Sequence, residues 1–165
     1  TISCNAIASA CEKGVKWQHA LALLEAMRGY VVPPDLITYS AAISACEKGE
    51  MWEQALDLLA DMPRLSFRAD ATAFNAAISA CEAGSHWESA LQLLAEMERE
   101  AVTPDEITYV AAMRTCDRAQ QSHRTILLLA EMRRRAIDPD SAAFDAALRC
   151  CESLDDAREA RCLLE

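Results

Sequence analysis

The sequence predicts an all-α fold, a right-handed α-solenoid of stacked helix–turn–helix repeats of 35 residues. Three observations carry that expectation. One segment recurs almost unchanged at a fixed spacing, apolar residues inside each copy fall at helical intervals, and the few glycines and prolines sit at repeat junctions. Ile43-Ser44-Ala45-Cys46-Glu47-Lys48-Gly49 returns 35 residues later as Ile78-Ser79-Ala80-Cys81-Glu82-Ala83-Gly84, and 35 residues earlier it stands as Ala8-Ser9-Ala10-Cys11-Glu12-Lys13-Gly14. The same step joins Trp17, Trp52 and Trp87, then Ala20, Ala55, Ala90 and Ala160, then Leu24, Leu59, Leu94, Leu129 and Leu164, then Met27, Met62, Met97 and Met132. Cysteine fills one column in every copy, at Cys11, Cys46, Cys81, Cys116 and Cys151, and no insertion or deletion interrupts the register.

Each copy divides into two helices. In the second copy Tyr39, Ile43 and Cys46 lie at i, i+4 and i+7, one apolar stripe of a helix. The pattern breaks near Gly49, and a second stripe follows through Trp52, Ala55, Leu56, Leu59 and Met62. Pro-Asp closes the first, third and fourth copies, because proline cannot continue a helix interior and aspartate caps the next one. The alanine column of the second helices marks a close helix–helix contact. The fourth copy has Thr125 in that column and Gln120-Gln121-Ser122 in place of a tryptophan-containing turn, so it is expected to pack least well.

No unit of this size buries its apolar face alone, so stacking makes the core, with first helices on one surface and second helices on the other. The units are 1–35, 36–70, 71–105, 106–140 and a shortened 141–165, a single repeat array expected to be an excerpt of a longer one. A hydrophobic fraction of 52% with only 5% aromatic residues suits a stacked helical core.

Composition narrows the function classes. No apolar run approaches the ~18 residues of a membrane-crossing helix, so no membrane partner is expected. The cysteine column repeats once per unit, which holds neighbouring copies beyond the ~7 Å Cα limit of a disulfide. No C-x-x-C occurs, and the adjacent Cys150 and Cys151 do not have zinc spacing. The column is therefore read as small buried hydrophobes, and reduced thiols point to an intracellular or organellar compartment. His19, His86 and His123 occupy three different places in the unit and share no face. There is no Ser/His/Asp set, phosphate-binding glycine loop or deaminase signature, so no enzyme, cofactor, metal or small-molecule substrate is expected.

A period of 35, Tyr39-Ser40 opening a helix, alanine–leucine in the second helix, a late methionine and a closing Pro-Asp together resemble the pentatricopeptide repeat family. Tetratricopeptide repeats recur every ~34 residues and place their proline differently. The resemblance spans the whole chain, more weakly in the last two units, and the Cys-Glu-Lys-Gly…Trp variant departs from the plant-type consensus. It implies binding of single-stranded RNA in an organelle, chloroplast or mitochondrion, one base per repeat. The implied readers pair an early residue of each first helix with the last residue of the same unit. These are Asn5 with Asp35, Ser40 with Asp70, Asn75 with Asp105, and Val110 with Asp140, while Asp145 begins a fifth pair. In the family's pairing rules Asn–Asp resembles a uracil reader and Ser–Asp a guanine reader; Val110 has no hydrogen-bonding group, and the implied preference is 5′-U-G-U-n-3′. Ile2, Ile37, Thr72, Ile107 and Ala142, three residues earlier, are implied to sandwich the bases. The aspartates also have a plain structural role open to them as helix caps, and the asparagines and serine as solvated surface positions.

Charge pulls the other way. Phosphate neutralisation supplies much of RNA affinity, yet the chain carries −10, distributed by unit as 0, −3, −5, +1 and −3. Glu12, Glu47, Glu82, Asp117 and Glu152 form an acidic ladder late in the first helices. A partial basic ladder of Lys13, Lys48 and Arg118, candidate phosphate contacts, runs beside it. Both lie three to four residues past Ser9, Ser44 and Ser79, so either can border the groove. Arg133-Arg134-Arg135 ends a second helix, where it complements the helix dipole. Three functions stay open at this point: an RNA-binding module acting in organellar processing, stability or translation; a protein–protein scaffold of tetratricopeptide type whose acidic groove takes a basic partner; and a helical array serving a catalytic domain elsewhere in a longer protein.

Overall fold

In a computed structural model the described residues are 2–29 and 34–153, with side chains over 6–29 and 34–150. They hold α1 (Ile2–Lys13), α2 (Trp17–Gly29), α3 (Leu36–Lys48), α4 (Trp52–Arg64), α5 (Ala71–Ala83), α6 (Trp87–Arg99), α7 (Glu106–Arg118), α8 (Ser122–Arg134) and α9 (Ser141–Ser153), with no strand among the described residues. The all-α class of helix–turn–helix repeats holds, with odd-numbered helices opening each repeat and even-numbered ones closing it. The chain forms two compact units, Thr1–Ala80 and Cys81–Glu165, whose boundary falls inside α5.

In the first unit α3 packs against α1, α2 and α4. Its core is Ala8 and Cys11 of α1, Ala20, Leu24 and Met27 of α2, Tyr39, Ile43 and Cys46 of α3, and Ala55, Leu59 and Met62 of α4, all buried. These are the columns the 35-residue step selects. In the second unit α7 packs against α6, α8 and α9, over a core that includes Leu94, Met97, Tyr109, Met113, Cys116, Leu129, Met132 and Ala147. Cys46, Cys81 and Cys116 are free thiols, and burial pushes each of them up to about 11. They behave as small core hydrophobes. Cys151 lies outside the described side chains; its neighbour Cys150 on α9 is buried.

The fourth repeat departs from expectation. Thr125 is buried as fully as the alanines of its column, and Leu128, Leu129 and Met132 around it are buried too. Threonine adds little bulk to that column. The cost is polar rather than steric: its hydroxyl is buried without a well-formed hydrogen bond, with the Cys150 thiol as its polar neighbour.

The junctions explain why the period tolerates no insertion. After α1, α3, α5 and α7 the chain closes a left-handed C-cap, as in Met51 N–H donating to Cys46 O at 2.9 Å and Glu50 N–H to Glu47 O at 3.0 Å. The residues with positive φ are Val15, Glu50, Ser85 and Gln120, 35 apart and none of them glycine. A second such series, Ser66, Ala101 and Ala136, closes α4, α6 and α8. Gly49, at φ −88°, is therefore not needed for backbone freedom. It is needed for room: a methyl group there would lie 2.3 Å from Trp17 Cδ1 and 2.9 Å from Cγ, because the indole of the preceding repeat rests on the turn. Gly49→Ala should cost about 1–3 kcal/mol in denaturant unfolding through overpacking, and most of that cost should vanish in a Trp17→Ala background. Val15→Gly should instead raise stability by about 1 kcal/mol, since a β-branched residue at φ 53° is strained.

Candidate functional site

The first helices α3, α5 and α7 are each packed on every side but one. On α3, Thr38, Tyr39, Ala41, Ala42, Ile43, Ala45 and Cys46 are buried, and what remains open is Ile37, Ser40, Ser44, Glu47 and Lys48. Those positions follow i, i+3, i+7, i+10 and i+11, a single stripe down the helix. On α7 the same stripe is Ile107, Val110, Arg114, Asp117 and Arg118. On α5 it runs through Thr72, Asn75, Ser79, Glu82 and Ala83, and on α1 through Ser9, Glu12 and Lys13. Ile2 and Asn5 lie outside the described side chains.

The upper end of the stripe is apolar and exposed. Ile37 is 58% exposed and Ile107 62% exposed, large side chains that packing leaves in water. One turn further, Ser40 and Asn75 are half-buried, whereas Val110 is 9% exposed and offers only a methyl surface. The Ser40 hydroxyl is turned inward, buried and without a hydrogen-bond partner among the described residues, so meeting a ligand requires rotation about χ1.

All four aspartates of the unit-ending column cap the helix that follows. Asp35 accepts from Thr38 N–H at 3.0 Å, Asp70 from Ala73 N–H at 2.9 Å, Asp105 from Thr108 N–H at 2.9 Å and Asp140 from Ala143 N–H at 2.8 Å, each through Oδ1. Asp105 completes a capping box, its own N–H donating to Thr108 Oγ1 at 3.1 Å. A carboxylate has more lone-pair sites than one cap consumes, so capping leaves room for a second acceptor role.

The two charged ladders prove to be one. Glu12 on α1 meets Lys48 on α3 at 3.0 Å, and Glu82 on α5 meets Arg118 on α7 at 3.2 Å, each carboxylate reaching the cation of the next repeat. Asp117 has no lysine or arginine at the corresponding place on α9, and Arg149 takes it instead at 2.9 Å. The two ladders thus pair where the next repeat supplies Lys48 or Arg118, whereas Ala83 stands where Glu47 would meet its cation. Lys48 and Arg118, expected as phosphate contacts, are thus already paired; Lys13 is exposed with no carboxylate beside it among the described residues. Arg114, which lies in the serine column of Ser9, Ser44 and Ser79, was not among the expected contacts, though the serine-to-arginine change in that column signals it.

The second helices carry their own ties. Arg28 donates to Tyr39 Oη at 2.5 Å and to Asp61 at 2.9 Å, and Arg124 lies over the Trp87 ring at 4.4 Å. The arginines ending α8 serve as staples: Arg134 and Arg135 hold Glu131, whose carboxyl they pull down to about 2, and Arg135 also bonds Glu98. Among the described residues no group of histidine, cysteine and acidic side chains is arranged to hold a metal ion, and no helix is long and apolar enough to cross a membrane.

A stack of two-helix repeats presenting one open stripe per first helix defines a helical-repeat binding scaffold. The profile described as PPR repeat matches residues 37–67, and that of the PPR repeat family matches residues 69–118. The chain belongs to the pentatricopeptide repeat family. No curated protein matches it by sequence. Among solved structures it is similar to maize PPR10 in complex with an 18-nt psaJ RNA element, with TM-score 0.78 and 17% identity over 98% of this chain and 24% of that one. It is also similar to the PPR domain of Arabidopsis thaliana protein-only RNase P 1 in complex with tRNA, with TM-score 0.85 and 17% identity over 96% of this chain and 84% of that one. A third is nuclear proteinaceous RNase P 2 of A. thaliana, with TM-score 0.87 and 13% identity over 99% and 37% of the two chains. The chain thus spans about a quarter of the length of PPR10. These likenesses establish the all-α repeat solenoid as its fold.

The double duty of the aspartates separates experimentally. Asp70→Ala should lower unfolding stability by about 1 kcal/mol, while Asp70→Asn, an equally good cap, should leave it within about 0.5 kcal/mol.

Proposed function

We propose that this chain is an RNA-binding pentatricopeptide module, taking single-stranded RNA one base per repeat along the open stripes, as part of a longer organellar protein acting in RNA processing, stability or translation. The observation that carries the reading is an exposed side chain followed one turn along the same stripe by a half-buried polar one, Ile37 with Ser40 and Thr72 with Asn75. The exposed isoleucine gives a base plane an apolar surface, the threonine adds a methyl group and a hydroxyl, and an asparagine amide offers both a donor and an acceptor to a base edge. The RNA held by PPR10 and the tRNA held by the RNase P 1 repeat domain support that ligand class. The chain contributes binding and no chemistry of its own. The pairing of Glu12 with Lys48 and of Glu82 with Arg118 reduces the objection raised by the net charge, and it equally weakens the case for an acidic groove that takes a basic protein.

The test is a competition experiment at matched salt. U-G-U-n oligonucleotides should bind about tenfold tighter than A-A-A-n, the discrimination a few base-edge hydrogen bonds supply, and Asp70→Asn should lower the preference for guanine at the second base. Equal affinity for the two oligonucleotides overturns base reading. Binding of a basic peptide with no RNA binding returns the function to a protein scaffold.

A further inference from the structure

The open stripes do not offer equivalent cations. Lys48 and Arg118 are each held at about 3 Å by a carboxylate of the preceding repeat, and Arg149 is held by Asp117. A cation in such a pair presents a dipole rather than a net charge, and a phosphate must displace its partner to reach it. Arg114 is different. It is exposed at the middle of the α7 stripe, and no ion pair or hydrogen bond engages it among the described residues. The acid one turn along its own helix, Asp117, faces the other way, toward Arg149 and the Cys150 thiol of α9. On α1, α3 and α5 the same column is Ser9, Ser44 and Ser79.

What surrounds Arg114 also matters. It stands one turn past Val110 and two turns past Ile107, so the upper part of this stripe is apolar and has no group to read a base edge. A nucleotide lodged there can be held by contact with its base plane and by its phosphate, and the planar guanidinium is suited to the latter through two parallel N–H donors. Resting on the RNA-binding reading above, we propose that Arg114 is a phosphate anchor, and that the fourth repeat grips the RNA backbone without regard to sequence while the preceding repeats read bases.

The measurement is fluorescence anisotropy with labelled U-G-U-n and A-A-A-n oligonucleotides on the full chain, from about 50 to 200 mM salt. Arg114→Ser restores the residue of the first three repeats. It should weaken both oligonucleotides alike, by about five- to tenfold at the low-salt end, and flatten the slope of log K against log salt by about 0.7, the value for one phosphate contact on a single strand. Arg114→Lys should keep the slope and lose part of the affinity, because it retains the charge but not the fork. Lys48→Gln, which removes a cation already paired, should leave the slope unchanged. Because Arg114 is exposed, circular dichroism melts of its variants should superimpose on the parent. A parent that binds while Arg114→Ser binds equally well, with the same slope, overturns the anchor and leaves the RNA reading standing, as does a loss confined to one of the two oligonucleotides. A parent that binds neither oligonucleotide at about 50 mM salt overturns the RNA reading and the anchor with it.

Discussion

A helix that must bury Tyr39, Ala41, Ala42, Ile43, Ala45 and Cys46 has one narrow face left. That geometric shortage governs everything this protein can do. With 3.6 residues per turn, the face admits only side chains at steps of three and four, so its chemistry is limited to about one group per turn. The unit length follows from the same shortage. Trp17 rests on Gly49 of the next repeat, and a turn longer by one residue would move that glycine from under the indole. At this junction equal repeat length preserves a contact surface.

Electrostatics is organised across the repeats rather than within them. A carboxylate near the end of one first helix reaches the cation near the end of the next, as Glu12 does to Lys48 and Glu82 to Arg118. Such exposed pairs contribute little stability each, about 0–1 kcal/mol. Their consequence is for the potential: a chain of net charge −10 presents stripes whose charges are locally balanced. The remaining acidity includes Glu88, Glu98 and Glu100 on and just after the second helix α6, away from the first-helix stripes.

The period, the two helices per unit and the core columns were legible because burial repeats with the sequence: a column that stays apolar through five copies has to face inward. The aspartate caps were legible for a similar reason, since Pro-Asp before an apolar run marks a helix start. The ion ladder was not, because its partners are 36 residues apart and the choice between facing in and pairing sideways depends on a lateral distance no column shows. The role of Gly49 was hidden behind the habit of assigning glycine to backbone freedom, when the left-handed residue is its neighbour Glu50 at φ 58°. The inward turn of the Ser40 hydroxyl is a rotamer, which sequence does not encode on its own.

The fourth repeat shows how a helical array can change function without losing its frame. By column its substitutions look like decay: threonine for alanine at the helix contact, valine for a polar reader, arginine for serine on the open face. In the structure Thr125 is accommodated, and Leu129 and Met132 stay buried around the same axis as their counterparts. The changes on the stripe then fall together, since removing the reading group at Val110 and placing an unpaired guanidinium one turn below converts a face that recognises an edge into one that holds a charge. Packing constrains the buried columns of every repeat alike and leaves the stripe free to vary, so the stripe is where repeats of one fold acquire different tasks.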